Sequence, residues 1–281
     1  MKIFTEITPL KAYLRDMKCQ GKSVGLVPTM GALHEGHLAL FRKSIAANDV
    51  TVGSIFVNPI QFNNPGDLQH YPRTLDKDTQ LLESVGCDVL FAPDVPEMYP
   101  ENTSITFDFG ALERTMEGRF RPGHFSGVAV VVSKLFNIVE PDNAYFGQKD
   151  WQQFAIIRKL TQQLNFSIQL HSVETLRAPD GLALSSRNAR LNEEQREYAT
   201  VFYRALTAAR TWLKNGETMA SIRTKVQQMI DQEPDVRLEY FELADSQNLN
   251  ELQDVKQSDR PILCIAGYVG EVRLIDNLFI D

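Results

Sequence analysis

Two histidines three residues apart, His34 and His37, stand in the run Pro28-Thr29-Met30-Gly31-Ala32-Leu33-His34-Glu35-Gly36-His37. The apolar stretch Val24 to Val27 before the run reads as a buried strand. The stretch Leu38 to Ala47 after it has apolar residues at helical spacing. Both imidazoles therefore fall at a strand-to-helix junction, and residues three apart share a helix face. A helix start offers unpaired N–H groups and the positive end of a dipole, a setting that favours anions. Gly31 and Gly36 let the backbone approach a ligand with no Cβ in the way. The run thus describes a seat for a nucleotide's phosphates, with two imidazoles as added donors.

Two other chemistries fail on spacing. The zinc-protease pattern needs His-Glu-x-x-His, whereas one residue separates Glu35 from His37. Gly21-Lys22-Ser23 matches the end of a P-loop, but Asp16 stands where that motif needs its first glycine.

Three further segments carry polar chemistry: Asn58-Pro59-Ile60-Gln61-Phe62, Gly147-Gln148-Lys149-Asp150 and Leu184-Ser185-Ser186-Arg187-Asn188. Arg and Lys serve phosphate differently, as a two-pronged fork and as a point charge. Gln61 and Gln153 are neutral amides that both donate and accept. Each residue taken alone has a plainer reading. Gln61 after a proline can cap a turn, Lys149 and Asp150 can form a solvated helix start, and Arg187 can lie on the surface. Arg121-Pro122-Gly123-His124 reads as a simple turn. Asp78 can be a solvated carboxylate on an amphipathic helix.

The elements that must position these residues alternate. Strands are predicted at Val24–Val27, Thr51–Val57, Asp88–Ala92, Ala144–Gly147 and Ser167–Val173. Helices are predicted at Leu38–Ala47, Thr74–Val85, Val128–Val139 and Asp150–Leu164. Val128–Val139 is rich enough in valine to be a strand, but its length and its in-phase apolar set favour a helix. Alternation of this kind implies a doubly wound α/β fold, a parallel sheet with helices on both faces. Ligands bind at the carboxyl ends of strands in such sheets, and the polar segments above follow strands.

The pattern changes after about Arg190. Asn192 with Gln195 forms a relaxed capping box. A long helical stretch follows to about Lys214, then another at Met219–Ile230, then β-rich runs at Arg237–Leu243 and Ile262–Phe279. This predicts two domains, 1–175 and a smaller α+β domain 176–281.

The chain has 281 residues and a net charge of −7, which argues against a nucleic-acid partner. The window Val128–Val139 is broken by Lys134 and is too short to span a bilayer, and the N-terminal stretch lacks the apolar core of a signal peptide. Cys19, Cys87 and Cys264 have no metal-type spacing, so free thiols in a reducing cytoplasm are expected.

Taken together, Pro28–His37, Phe56–Phe62, Tyr71–Thr74, Arg121–Gly127, Phe146–Gln153 and Leu184–Asn188 resemble the pantothenate synthetase (pantoate–β-alanine ligase) family, of the HxGH nucleotidylyl transferase superfamily. The resemblance implies ATP-dependent joining of D-pantoate to β-alanine. Pantoate carboxylate attacks the α-phosphorus, giving pantoyl adenylate and pyrophosphate; the β-alanine amine then expels AMP. It also implies an amino-terminal Rossmann-like domain that binds ATP and pantoate, a smaller domain covering the active site, a cytoplasmic homodimer and Mg²⁺ with the ATP. By the same resemblance Met30, Gly31, Ala32, Leu33, His34, Glu35, Gly36 and His37 line the ATP site. So do Gly147, Gln148, Lys149, Asp150, Leu176, Leu184, Ser185, Ser186 and Arg187. His34, His37, Lys149, Ser185 and Arg187 are the donors assigned to the charge that builds up on the phosphates. Gln61 and Gln153 are assigned to pantoate, and Asp78 to Mg²⁺. Arg121 and His124 fall in a loop near the active site. Gln148, Trp151 and Leu184 depart from the residues usual there, and Lys77 stands beside Asp78.

Two other readings stay open. One is a nucleotidylyl transferase acting on a phosphate ester, which shares the histidine motif but has no need of Gln61 and Gln153. The other is a nucleotide-binding regulator without turnover, for which so many donors aimed at a leaving group have no use.

Overall fold

The computed structural model describes residues 1–280. The chain forms two compact units. The first comprises Met1–Gln148 and Ile156–Glu174, the second Lys149–Ala155 and the chain from Thr175 onward.

Six strands build the first unit's sheet: β1 (Lys2–Phe4), β2 (Val24–Thr29), β3 (Val50–Ile55), β4 (Val89–Phe91), β5 (Asn143–Gly147) and β6 (Gln169–Val173). All pairs are parallel and the order is β1-β4-β3-β2-β5-β6. From β2 the chain builds outward on one side through β3 and β4, and later on the other through β5 and β6. The direction of winding therefore changes between β2 and β5, where an open α/β sheet has its binding crevice. The segments leaving β2 and β5 are Met30–His37 and the turn that begins at Gln148.

The helices are α1 (Ile7–Cys19), α2 (Glu35–Ile45), α3 (Pro65–Gln69), α4 (Leu75–Ser84), α5 (Val95–Met98), α6 (Met116–Phe120), α7 (His124–Val139), α8 (Trp151–Gln163), α9 (Glu193–Ala199), α10 (Val201–Lys214) and α11 (Met219–Asp231). Twelve of the sixteen residues of α7 are buried, so its valine-rich sequence reflects a helix covered nearly all round rather than a strand. Val27, Phe41, Leu82, Leu90 and Tyr145 form a core beneath the loop that follows β2.

The second unit carries an antiparallel sheet of β7 (Val236–Asp245), β8 (Pro261–Val269) and β9 (Val272–Phe279). Phe202 and Leu206 of α10, Ile222 and Val226 of α11, and Leu263 and Ile265 of β8 share one core.

Several expectations need correction. The N-terminal stretch holds a strand and a helix. β1 is three residues long, and α1 carries Ile7, Leu10, Leu14 and Met17 at helical spacing, with Leu10 and Leu14 buried. The long stretch from Asn192 to Lys214 is two helices. At Thr200 the backbone N–H and the hydroxyl both turn to the Glu197 carbonyl, which interrupts the ladder. The Asn192–Gln195 capping box is present at the start of α9. The run Ile262–Phe279 is a hairpin, because Gly270, at φ 54°, reverses the chain between Val269 and Val272.

The three cysteines form no disulfide: Cys19 is exposed, Cys87 and Cys264 buried. Burial pushes the Cys87 thiol up to about 11, and its sulfur lies against the carbonyls of Thr51 and Val89. The thiolate is the reactive form. Maleimide treatment of the native protein, read by peptide mass mapping, should label Cys19 alone; labelling of Cys87 before unfolding would contradict this packing.

Candidate active site

The loop after β2 turns through two residues in the left-handed region, Gly31 at φ 81° and Ala32 at φ 50°. That conformation is unusual for alanine and needs an outside hold. Asp78 on α4 supplies it. Its carboxylate accepts the Ala32 N–H at 2.9 Å, the Leu33 N–H at 2.8 Å and the Thr74 hydroxyl at 3.2 Å. A Cβ at Gly31 would lie 3.0 Å from the same carboxylate, so this approach requires glycine. On the other side the Thr29 hydroxyl donates to the Ser54 carbonyl and accepts the Gly31 N–H, tying the loop to β3.

The loop delivers His34 as the N-cap of α2. His34 Nδ1 accepts the Gly36 N–H at 3.1 Å, and His37 Nδ1 faces the His34 N–H at 3.4 Å. The rings lie 4.1 Å apart between centroids. With both Nδ1 atoms accepting from backbone, the hydrogen-bond network assigns the neutral rings' protons to Nε2. Each imidazole is thereby set as a donor at its outer nitrogen. Glu35, by contrast, is exposed and pairs with Arg42 along α2 at 3.0 Å.

The turn Pro59–Gln61 carries the first amide. Gln61 is 7% exposed; its Oε1 accepts from Asn58 at 3.1 Å and its Nε2 lies 3.0 Å from Met30 Sδ. Asn58 donates also to the Gly127 carbonyl and accepts from the Tyr99 hydroxyl at 2.8 Å. Burial raises the Tyr99 phenol well above its ordinary range, which keeps it a donor. The Gln61 carbonyl is held from α7. Arg121 can only donate, so His124 Nε2 accepts from it at 3.2 Å and His124 Nδ1 donates to the Gln61 carbonyl at 2.8 Å. Gly127 lets α7 approach this turn: a Cβ there would sit 2.5 Å from the Ile60 carbonyl oxygen. The roles of Tyr99 and Asn58 were not legible in the sequence; the one relevant signal was that Asn58 begins a polar segment after a strand.

In the second unit, Lys149 lies in a short 3-10 turn and its carbonyl accepts from Asn277 at 2.8 Å. Leu176 and Leu184 face each other across a small two-stranded excursion, through the Leu184 N–H to Leu176 carbonyl bond and the Arg177–Ala183 bridge. The excursion ends at Ser185, whose hydroxyl caps the 3-10 turn Ser186–Arg190 by accepting the Arg187 N–H at 3.3 Å. Lys149, Ser185, Asn188 and Asp276 line one small recess. Ser186 and Arg187 are half-buried beside it in sequence, and Leu176 is exposed. Gln153 is half-buried on the first turn of α8, and Asp150 is exposed. Gln148 Nε2 lies 3.5 Å from the Ser172 hydroxyl in the first unit.

Mg²⁺ that accompanies ATP takes one or two carboxylates beside the phosphates rather than a protein cage. Asp78 is 1% exposed, and both its oxygens face backbone amides. Among the described residues no group of three His, Cys, Asp or Glu side chains is placed to hold an ion. The structure gives Asp78 the work of shaping the loop. Asp78→Asn should cost about 1–3 kcal/mol, since an amide cannot accept both N–H groups as the carboxylate does. The drop in thermal midpoint should be the same in Mg²⁺ and in EDTA; a loss seen only with Mg²⁺ would restore the metal role.

Comparison with known proteins agrees with this frame. The family model described as pantoate-beta-alanine ligase matches residues 2–279. A pantothenate synthetase of Bacteroides fragilis (strain YCH46) is 49% identical over 278 residues, covering 99% of this chain and 98% of the relative. The crystal structure of pantothenate synthetase from Thermus thermophilus superposes with a TM-score of 0.92 at 42% identity, covering 99% of each chain. The Francisella tularensis pantoate-beta-alanine ligase, solved in complex with beta-gamma ATP and beta-alanine, gives 0.82 at 36% identity over 99% of this chain and 97% of its own. With the family model matching residues 2–279 and the relatives aligned over nearly the whole length, this chain belongs to the pantoate-beta-alanine ligase family.

Proposed function

We propose that this chain condenses D-pantoate with β-alanine to pantothenate through pantoyl adenylate, releasing AMP and pyrophosphate. The observation that carries the reading is the family match along 2–279, with the Francisella relative holding beta-gamma ATP and beta-alanine. In the first step a pantoate carboxylate oxygen attacks the α-phosphorus and the bond to pyrophosphate breaks. In the second the β-alanine nitrogen attacks the acyl carbon, loses a proton and expels AMP.

Charge builds on the phosphate oxygens and the leaving pyrophosphate in the first step. Donors fixed beforehand stabilise it without reorganising. His34 and His37, with their outer nitrogens protonated, fit that role. Lys149, Ser185 and Arg187 are assigned to it as further donors. Gln61 and Gln153 are assigned to pantoate, whose hydroxyl and carboxylate groups need partners once water is excluded. Gln61 is supported best, because it is buried and held on three sides. Mg²⁺ enters the proposal only as a partner of ATP's own phosphate oxygens. A cytoplasmic homodimer completes it, and three cysteines without a disulfide fit a reducing compartment.

The decisive experiment is exchange of labelled pyrophosphate into ATP. It should require pantoate and proceed without β-alanine. Exchange that ignores pantoate would favour a transferase acting on another acceptor, and ADP as product would indicate an acyl phosphate.

Substitutions should separate the two groups of residues. His37→Ala or Lys149→Ala should slow exchange by roughly 10²-fold or more. Gln61→Ala or Gln153→Ala should weaken pantoate binding by about 1–3 kcal/mol and leave ATP binding nearly unchanged. Calorimetric titration with ATP alone, then with pantoate, reads this directly. Equal losses for both ligands would overturn the division.

A further inference from the structure

Lys149 and the Leu176–Arg187 segment lie far apart in sequence, yet one pair of neighbours on β9 holds both. Successive residues of a strand face opposite ways, so two neighbours can serve two segments. Asp276 is 6% exposed and takes the Arg177 guanidinium in a two-pronged pair, at 2.6 and 2.9 Å. Arg177 also donates to the carbonyls of Gly181 and Asn277 and lies 3.9 Å above the Tyr203 ring. The base of the Leu176–Leu184 excursion is thereby fastened to the strand. Asn277, also 6% exposed, donates from Nδ2 to the Lys149 carbonyl at 2.8 Å. Its own N–H returns to Asp276 Oδ1 at 2.8 Å, which couples the two holds.

We infer that Asp276 and Asn277 are positioning residues for the adenylation step: Asn277 sets where the Lys149 backbone stands, and Asp276, through Arg177, sets the segment that ends in Ser185 and Arg187. This rests on the assignment of Lys149 as a phosphate donor. The reason for such a device is that donors aimed at a transition state must be placed within a fraction of an ångström, and a misplacement near 1 Å costs about 10²-fold in rate. A lysine ammonium rides on a long flexible stem, so its backbone anchor limits where it can reach.

Asn277 is the better residue to test. Removing either member of the Arg177–Asp276 pair leaves a buried charge unpaired and threatens the fold itself. Asn277→Leu keeps the branched shape and removes the side-chain amide. Pyrophosphate exchange should fall roughly 10- to 10²-fold in kcat with little change in the KM for ATP. In the double variant with Lys149→Ala the two losses should not add, because Asn277 acts through Lys149. Where Asn277→Leu does not accumulate folded protein, Asn277→Ser serves, its hydroxyl being too short to reach the carbonyl. An impaired Lys149→Ala beside an unimpaired or strictly additive Asn277 variant would overturn the inference alone. An unimpaired Lys149→Ala would remove Lys149 from the reaction, and the inference with it.

Discussion

One carboxylate holds the histidine loop in shape. Gly31 and Ala32 turn through a backbone region that a chain seldom visits, and the two amides that follow point inward to Asp78. A charged acceptor with two N–H donors is among the stronger hydrogen-bond arrangements available to a protein. It offsets the cost of the left-handed alanine and frees the start of α2 to face outward. Everything downstream follows from that turn. His34 lands at the N-cap, its Nδ1 is drawn to Gly36, His37 closes on the His34 amide, and both outer nitrogens become donors.

The neighbouring amide is held by a different logic. Gln61 keeps its place through its carbonyl, which accepts from His124, and through Asn58, which bonds its side chain. Asn58 is in turn fastened to Gly127 and Tyr99. The histidines are thus aimed by backbone geometry, whereas Gln61 is aimed by a chain of side chains from α7 and Tyr99. Such chains are sensitive to any one member, because each buried group left without its partner is costly.

The alternation of strands and helices was legible, since apolar periods of two kinds follow one another from Val24 to Val173 and only a parallel sheet accommodates them. The histidine seat was legible for the same reason: its chemistry is local in sequence. What escaped was mostly non-local. α1 is the exception, since Ile7, Leu10, Leu14 and Met17 recur at helical spacing and were readable. The break at Thr200 depends on where one carbonyl is shared, which composition does not signal. Asp78 was singled out as a carboxylate, but its backbone partners Ala32 and Leu33 lie more than forty residues away in the chain, so its role as a loop anchor needed the fold. Tyr99 acts across 41 residues and Asn277 across 128.

Gly127 shows how a residue without functional groups can be as constrained as one that reacts. Its Cα faces the backbone of Ile60 and Gln61 so closely that any side chain would push against the turn carrying the amide. A side chain at this position is therefore excluded, although the position offers a ligand nothing to bind. In a survey of tolerated substitutions Gly127 would stand among the active-site residues, and its intolerance would record the distance between a helix and a turn rather than any chemistry of its own.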